Sequence, residues 1–435
     1  MRDWSPERVA EAAGAAVVAP GPAASGGAAS GPLRATIDSR DVRPGDLFVG
    51  LAGTRTDGGR FAAGALQAGA WGVLVTPRHA ADLPAGAVIA ADDPLAAMQA
   101  LAQQWRRELG ADVVGITGST GKTSTKDLLA AMLTQDRRVV ASRENHNTEI
   151  GMPLAILAAP PGTQALVLEM AMRGRGQIAE LTAIAEPDVG VIVNVGPVHL
   201  ELLGSLAAVA AAKAELIAGL RAGATAVLPA GEPLLDSHRR ADLDTVTFGP
   251  GGDVAELGEL RLPFASAHMR SNALAALAAA RAVGAQPGGM LEVTLSALRG
   301  QRVELGSLLV IDDCYNANPM SMRAALDDLA ASAAGRRVAI LGDMLELGAD
   351  EARFHEQIGL HAAASGVDVL IAVGPLAAHI GAAFAGETHA VSDADAAAEL
   401  AGELALPGDT LLVKGSRGVG LEVVCERLRM TVASA

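Results

Sequence analysis

Residues 115 to 132 read GITGSTGKTSTKDLLAAM. An apolar run ends at Thr117, a glycine-rich turn follows, and Gly121-Lys122-Thr123 leads into a stretch with helical spacing. A chain satisfies that order by ending a strand where a helix begins, with backbone N–H groups and the helix N-terminus aimed at an anion. The expected fold class is therefore α/β, with a mainly parallel sheet behind the turn. In this reading Gly118, Ser119, Thr120, Gly121, Lys122, Thr123 and Ser124 cradle phosphate; the Lys122 ammonium neutralises terminal phosphate charge and the Thr123 hydroxyl holds Mg²⁺. A glycine turn without a ligand is the bland alternative, and the joint presence of strand, glycines, Lys-Thr and helix speaks against it. The loop departs from the ordinary phosphate-binding pattern in one respect. That pattern has a further glycine five residues before the glycine of Gly-Lys-Thr, and here the position is Ile116.

An anion site needs local cations, and this chain has few to spare, with a formal net charge of -15. Such a balance excludes recognition of a phosphate backbone, so no nucleic-acid partner is expected. Only four of its 34 basic residues are lysines: Lys122, Lys126, Lys213 and Lys414. Chance is one reading of those four; the sharper one is a need for a primary amine or a compact point charge. No segment runs apolar and uncharged for the ~20 residues that span a membrane, and the N-terminus MRDWSPERVAEAAG has no apolar core of signal-peptide type. A soluble cytoplasmic protein, without a membrane partner and monomeric, is expected. Cys314 and Cys425 lie far apart in the sequence without metal-ligand spacing, so both are expected reduced.

Length and pattern suggest about three domains, at ~150 residues each. From Arg34 to Val75 the chain reads strand, turn, short strand, helix and strand, a small α/β unit. The helical stretch DDPLAAMQALAQQWRREL then leads to strand candidates DVVGIT, RRVVAS, ALVLEM and DVGVIVNV. After the helix SNALAALAAARAVGA a third series starts near Gly300, with strands in SLLVIDD, RRVAILGD, VDVLIAVG and DTLLVKG, a doubly wound pattern. The piece AAGAAVVAPGPAASGGAASG near the start reads as a flexible surface segment. With aromatics at 2%, the core must be built from Ala, Val and Leu.

Glu169 ends the strand ALVLEM, His199 follows VIVNVGPV, and Lys213 lies in VAAAKAEL. Each has a plain reading: a strand-end carboxylate, a loop histidine, a solvated helical lysine. Two strand ends of one parallel sheet nevertheless open onto the edge that carries the phosphate loop, where a Glu and a His could ligate a divalent metal. No Ser-His-Asp or Cys-His arrangement suggests a covalent mechanism.

The segments TGSTGKTS, ENHNTEIGMPL, EMAMRGRGQI, NVGPVHLE, AKAEL, HMRSNALAA, IDDCYNANPMSM, LGDMLELG and VKGSRG follow in the order found in the Mur ligases, and over nearly its whole length the chain resembles that family. DDCYNANPMSM with LGDMLELG resembles the branch that adds D-alanyl-D-alanine to UDP-N-acetylmuramoyl-tripeptide. The family pattern Gly-x-x-Gly-Lys-Thr accounts for the missing early glycine. The resemblance implies three domains: residues 1–92 holding the UDP substrate, a central ATP-binding domain at 93–299, and a Rossmann-like domain at 300–435. It implies ATP and Mg²⁺ as cofactors, with Thr123, Glu169, His199 and Lys213 at the metal. Lys213 would carry CO₂ as a carbamate, which a primary amine can form and an arginine cannot.

Further carry-over goes to matching positions. Asn272 matches an adenine contact, although read from the residues alone it is equally a cap at the start of an Ala-rich helix. Arg302 and Asp313 match residues reaching the phosphates and ribose, and Tyr315, Asn316, Asn318, Lys414 and Arg417 match the acceptor side. A turn is the alternative for so many Asn and Pro. Ser39 and Arg40 would contact the uridine nucleotide, and Asn147 and Thr148 the muramoyl peptide. The family often has Asp-Gly-His where this chain has Asp57-Gly58-Gly59, so that histidine's role is expected to be absent. Two alternatives stand beside this reading: a relative adding a single amino acid, such as a diaminopimelate-adding enzyme or a folylpolyglutamate synthase, and a nucleotide-switched binding protein.

Overall fold

Runs of β-branched and aliphatic residues, each followed by an amphipathic stretch, assemble into three sheets. The computed structural model describes residues 1–21, 31–143, 146–264 and 266–433. The first sheet contains β1 (Ala16–Pro20), β2 (Ala35–Thr36), β3 (Leu47–Val49), β4 (Gly72–Val75) and β5 (Ala87–Ala90), in the order β1-β5-β4-β3-β2. The second contains β6 (Asp112–Thr117), β7 (Val139–Ala141), β8 (Ala165–Glu169), β9 (Val189–Ile192), β10 (Thr225–Pro229) and β11 (Asp244–Phe248), in the order β11-β10-β9-β6-β8-β7, with every neighbouring pair parallel. The third contains β12 (Gln301–Leu305), β13 (Leu308–Asp312), β14 (Arg337–Gly342), β15 (Val369–Val373), β16 (Glu387–Val391) and β17 (Thr410–Lys414), in the order β12-β13-β17-β14-β15-β16. Among the strand pairs of the described residues, only β1 on β5 and β12 on β13 run antiparallel. The architecture is the expected α/β fold built on three mainly parallel sheets.

Strand order positions the chemistry. In the central sheet β6 lies between β8 on one side and β9 on the other, so the chain leaves β6 in one direction and returns on the opposite flank. That reversal opens a crevice at the carboxyl ends of the strands. The register sets Ile116 beside Glu169 and Thr117 beside Ile192, which brings the ends of β8 and β9 level with the glycine turn.

Small side chains make the core tight. The helix Ala267–Ala282 buries ten of its residues, most of them Ala, against the helix Lys122–Leu133, which buries Leu128, Leu129, Met132 and Leu133. The helix Pro94–Leu109 starts on Asp93, whose carboxylate accepts from the Leu95 and Ala96 N–H groups, and stops at Gly110 with φ of +60°. Its buried Ala97, Met98, Leu101, Ala102 and Trp105 join the first sheet to the central one, and the Trp105 indole donates to the Ala159 carbonyl at 3.0 Å.

Several strands escaped the sequence reading. β1, β11 and β16 are edge strands with alternating or largely solvated faces, so they lack a continuous apolar run. The segment expected to be a flexible surface piece is corrected in part: Ala16–Pro20 is a strand paired with β5, while residues 22–30 lie outside the described residues. The two cysteines are neighbours despite their separation in sequence. Asp312, Cys314 and Cys425 bring their ligand atoms within 4.8 Å of one another. The Cys314 thiol donates to the Asp312 carboxylate at 2.9 Å, and Arg429 lies 3.3 Å from the same carboxylate's other oxygen. Hydrogen bonding to Cys425, with burial, drives the Cys314 thiol far up and keeps it protonated. The trio is a hydrogen-bonded cluster of two free thiols and a carboxylate.

Candidate active site

Gly121 begins the loop-to-helix step with φ of +76°, and a side chain there would meet the Asn272 amide oxygen at 2.4 Å, so only glycine fits. No side chain caps the helix that follows, which leaves its first N–H groups for an anion. Asn194, just past β9, shapes the turn: its carboxamide oxygen accepts from the Ser119 and Thr120 N–H groups at 3.1 and 3.0 Å, and its amide donates to the Thr120 carbonyl at 3.1 Å. Lys122 is half-buried and donates to the Gly118 carbonyl at 2.9 Å. Burial pulls its pKa down and the Glu169 charge opposes that.

The Thr123 hydroxyl donates to Glu169 Oε2 at 2.7 Å, and the Asn147 amide donates to Oε1 at 2.9 Å. Glu169 is 1% exposed. Behind it the buried Lys126 donates to the Ser142 carbonyl at 2.8 Å, and the Ser142 hydroxyl accepts from the Glu169 N–H at 3.2 Å. His199 has a left-handed backbone, φ of +52°, and its Nδ1 is hydrogen-bonded to Glu346. Burial lowers the His199 pKa, with Glu346 opposing.

Of the two readings of Lys213, the solvated one fails. The side chain lies on the buried face of the helix Leu206–Gly219, 2% exposed. No hydrogen bond or ion pair reaches its amine from any described residue. Burial first, then the Lys122 charge, holds its pKa well below the ordinary lysine value.

From the third sheet, the loops after β13, β14 and β17 face this edge. Lys414, 2% exposed, braces the first of them: its ammonium donates to Asp313 Oδ2 at 2.6 Å and to the Asn316 carbonyl at 3.0 Å. Tyr315 is stacked by Arg299, 3.8 Å from its ring centre, with Arg417 at 5.9 Å. Arg302 pairs with Asp328 at 2.9 Å. The turn reading holds for Asn318, which caps the helix Pro319–Ser332 by accepting from the Ser321 N–H at 3.0 Å. The Asn316 oxygen accepts from the Ala317 N–H at 2.9 Å. The cap reading fails for Asn272: it is the sixth residue of its helix, buried, and reaches across to Gly121.

These two sides enclose a cleft of about 1720 Å³. That exceeds the ~300–1,000 Å³ of a pocket for one small ligand, so more than one substrate fits at once. Ser119, Thr120, Gly121, Lys122, Thr123, Ser124, Asn147, Thr148, Glu169, His199 and Asn272 line it from the central sheet. Arg302, Asp313, Tyr315, Asn316, Asn318, Lys414 and Arg417 line it from the third. Gly118 and Lys213 are not among its lining residues. Ser39 and Arg40 stand apart, in the loop after β2, where the Arg40 guanidinium is tied to Asp38 at 2.7 and 2.9 Å. An imidazole from another part of the chain stands beside Asp57. His79, from the loop after β4, occupies the space a Gly59 side chain would need, with Nε2 3.0 Å from the Asp57 carboxylate. Sequence reading also missed Asn194, Arg299 and Glu346. The first and last lay inside quoted motifs, and Arg299 had no local signal.

Sequence models of the Mur ligase family match along the chain: the description "catalytic domain" over residues 35–106, "middle domain" over 116–280 and "glutamate ligase domain" over 298–417. A UDP-N-acetylmuramoyl-tripeptide--D-alanyl-D-alanine ligase of Synechocystis sp. is 41% identical over 414 residues, covering 90% of this chain and 90% of its own. Among solved structures, MurF from Acinetobacter baumannii superimposes with a TM-score of 0.84 at 27% identity, over 98% of this chain and 99% of its own. MurF ligase from Thermotoga maritima, solved in complex with ADP, has a TM-score of 0.81 at 30% identity, over 92% and 98%.

Proposed function

The chain belongs to the Mur ligase family, and from that premise we propose that it is the ATP-dependent ligase that joins D-alanyl-D-alanine to UDP-N-acetylmuramoyl-tripeptide. The observation that carries the reading is the two-sided cleft: a phosphate loop on one wall faces amide, tyrosine and arginine side chains on the other. The terminal carboxylate of the tripeptide attacks the γ-phosphate of ATP, giving an acyl phosphate and ADP. The amine of D-alanyl-D-alanine then attacks the acyl carbon and phosphate leaves. Catalysis rests on positioning and charge neutralisation.

The N–H groups of residues 121–124 and Lys122 take the phosphates, and Asn272 the adenine. Arg302 and Asp313 reach phosphates and ribose by exchanging their partners Asp328 and Lys414 for the nucleotide. Asn147 and Thr148 face the muramoyl peptide; Tyr315, Asn316, Asn318 and Arg417 face the dipeptide, with Lys414 bracing them. Ser39 and Arg40 hold the uridine end. A hydroxyl and a carboxylate in contact, with an imidazole on the same wall, make a donor set that suits a hard divalent cation. Thr123, Glu169, His199 and a carbamate on Lys213 would hold Mg²⁺. Bound there, Mg²⁺ would draw negative charge from the transferring phosphoryl group. ATP and a UDP-linked substrate place the reaction in the cytoplasm, and no helix among the described residues is long and apolar enough to cross a membrane.

ADP release is expected only when UDP-muramoyl-tripeptide and D-alanyl-D-alanine are both present, with oxygen label from the tripeptide carboxylate appearing in phosphate. Release of AMP, or turnover of ATP without either peptide, rules the proposal out; use of a single amino acid as acceptor favours the other branch of the family.

Asn318 tests the acceptor side. Asn318→Ala removes the cap on its helix and should lower stability by about 1 kcal/mol, read from thermal unfolding. Its amide N–H groups have no partner among the described residues, so the same variant should raise the Michaelis constant for D-alanyl-D-alanine while leaving that for ATP unchanged. An unchanged dipeptide constant would leave Asn318 a cap alone.

A further inference from the structure

We propose that Glu346 is a positioning residue that the third sheet's side lends to the metal-facing histidine, so that the phosphoryl-transfer site is complete only when the two walls of the cleft meet. The inference rests on the function proposed above and on His199 facing the metal.

Among the described residues, the polar partners of Glu346 all lie across the cleft. One carboxylate oxygen bonds His199 Nδ1, the other lies 3.8 Å from the Arg173 guanidinium, and its carbonyl accepts from the Glu201 N–H at 3.4 Å. Those partners sit after β8 and β9, on the wall that carries Glu169. Nearby the two sides are in close contact: a side chain on Gly196 would run into Met320, and one on Gly348 would touch the Glu201 backbone at 3.4 Å.

Glu346 is also held in an uncommon shape. Five non-glycine residues among those described have positive φ, and two of them, His199 at +52° and Glu346 at +64°, are bonded to each other across the cleft. Left-handed backbone in non-glycine residues survives where the surroundings over-determine it. Here they do: the Ala377 N–H donates to Asp343 at 2.7 Å, the Met344 N–H to buried His355 at 2.9 Å, and the Leu345 N–H to Ser416 Oγ at 3.0 Å. Three hydrogen bonds on consecutive residues therefore aim the next one.

A carboxylate only accepts, so Nδ1 of His199 carries the proton and Nε2 keeps the lone pair a divalent cation needs. Carboxylate partners of this kind set the tautomer and ring orientation of ligating histidines, and their loss costs 10–100-fold in metal affinity or activity. Because this partner comes from the opposite wall, opening the cleft releases the ring.

Mn²⁺ binding in the presence of ADP, followed by electron paramagnetic resonance, reads the effect without turnover. Glu346→Ala should weaken Mn²⁺ about tenfold or more and lower kcat by about 10–100-fold, with the Michaelis constant for ATP nearly unchanged. Glu346→Gln, which keeps an acceptor oxygen, should fall between Glu346→Ala and the parent, and Arg173→Ala should leave Mn²⁺ affinity as it is. If Glu346→Ala does not fold, the isosteric Glu346→Gln decides: weaker Mn²⁺ binding supports the proposal. Mn²⁺ affinity equal to the parent's in the folded variant overturns it. Parent enzyme that fails to release ADP with both peptides would instead sink the functional reading, and the Mn²⁺ comparison would still judge Glu346.

Discussion

Lys213→Ala is expected to lose ligase activity by about a thousandfold and to regain part of it with acetate or propionate, whereas Lys213→Arg is expected to stay inactive. The size follows from removing one pre-placed charge at a developing phosphoryl transition state, about 10²–10³ in rate or somewhat more. A lysine that is 2% exposed, without a hydrogen-bond or ion-pair partner among the described residues, is poorly placed to stay an ammonium ion. Burial and the Lys122 charge keep its pKa well below the ordinary lysine value, so the free amine is favoured relative to that of an exposed lysine. A neutral amine adds CO₂: its lone pair forms the N–C bond, one proton leaves, and the side chain becomes an anion. The Lys122 charge that opposes the ammonium then favours the carbamate. An arginine cannot make this adduct, while a small carboxylate diffusing into the space left by Ala supplies the missing anion. Full activity of Lys213→Arg in a steady-state assay would end the carbamate reading.

Lys122→Met is expected to lower kcat by about a thousandfold while nucleotide affinity changes much less. In the proposed site nucleotide would be held mainly by the backbone N–H groups of residues 121–124, which the substitution leaves in place, with the turn before them still pinned by Asn194. The lost ammonium would be the compact charge nearest the transferring phosphate, an interaction that strengthens in the transition state. Lys122→Arg is expected to recover little, since the ammonium fits a spot 2.9 Å from the Gly118 carbonyl that a planar guanidinium overfills. Comparable losses in ADP affinity and in kcat would show instead that Lys122 mainly binds.

How much of this was readable in advance depended on range. The glycine loop was legible because a positive φ at Gly121, a strand ending at Thr117 and a helix starting at Lys122 are all set by neighbours in the chain. β6, β8, β9 and the strands of the third series showed as apolar runs because both faces are buried. β1 and β16 did not, since an edge strand keeps one side in water. Lysine scarcity pointed to Lys213, but only burial distinguished it from a solvated residue. Asn272 read equally as a cap until the packing of its helix on Lys122–Leu133 carried it to Gly121.

By itself, then, the order of residues determined the α/β class, the anion-binding turn and the family, because each is encoded in local periodicity, steric permission at glycine and short motifs. Tertiary structure alone decided that Cys314 meets Cys425, that His79 fills the place beside Asp57, that Lys414 is spent on Asp313, and that Glu346 closes on His199. Those pairings depend on strand order and register, which bring the ends of distant strands to one edge; local sequence carries no term for which strand will lie beside which.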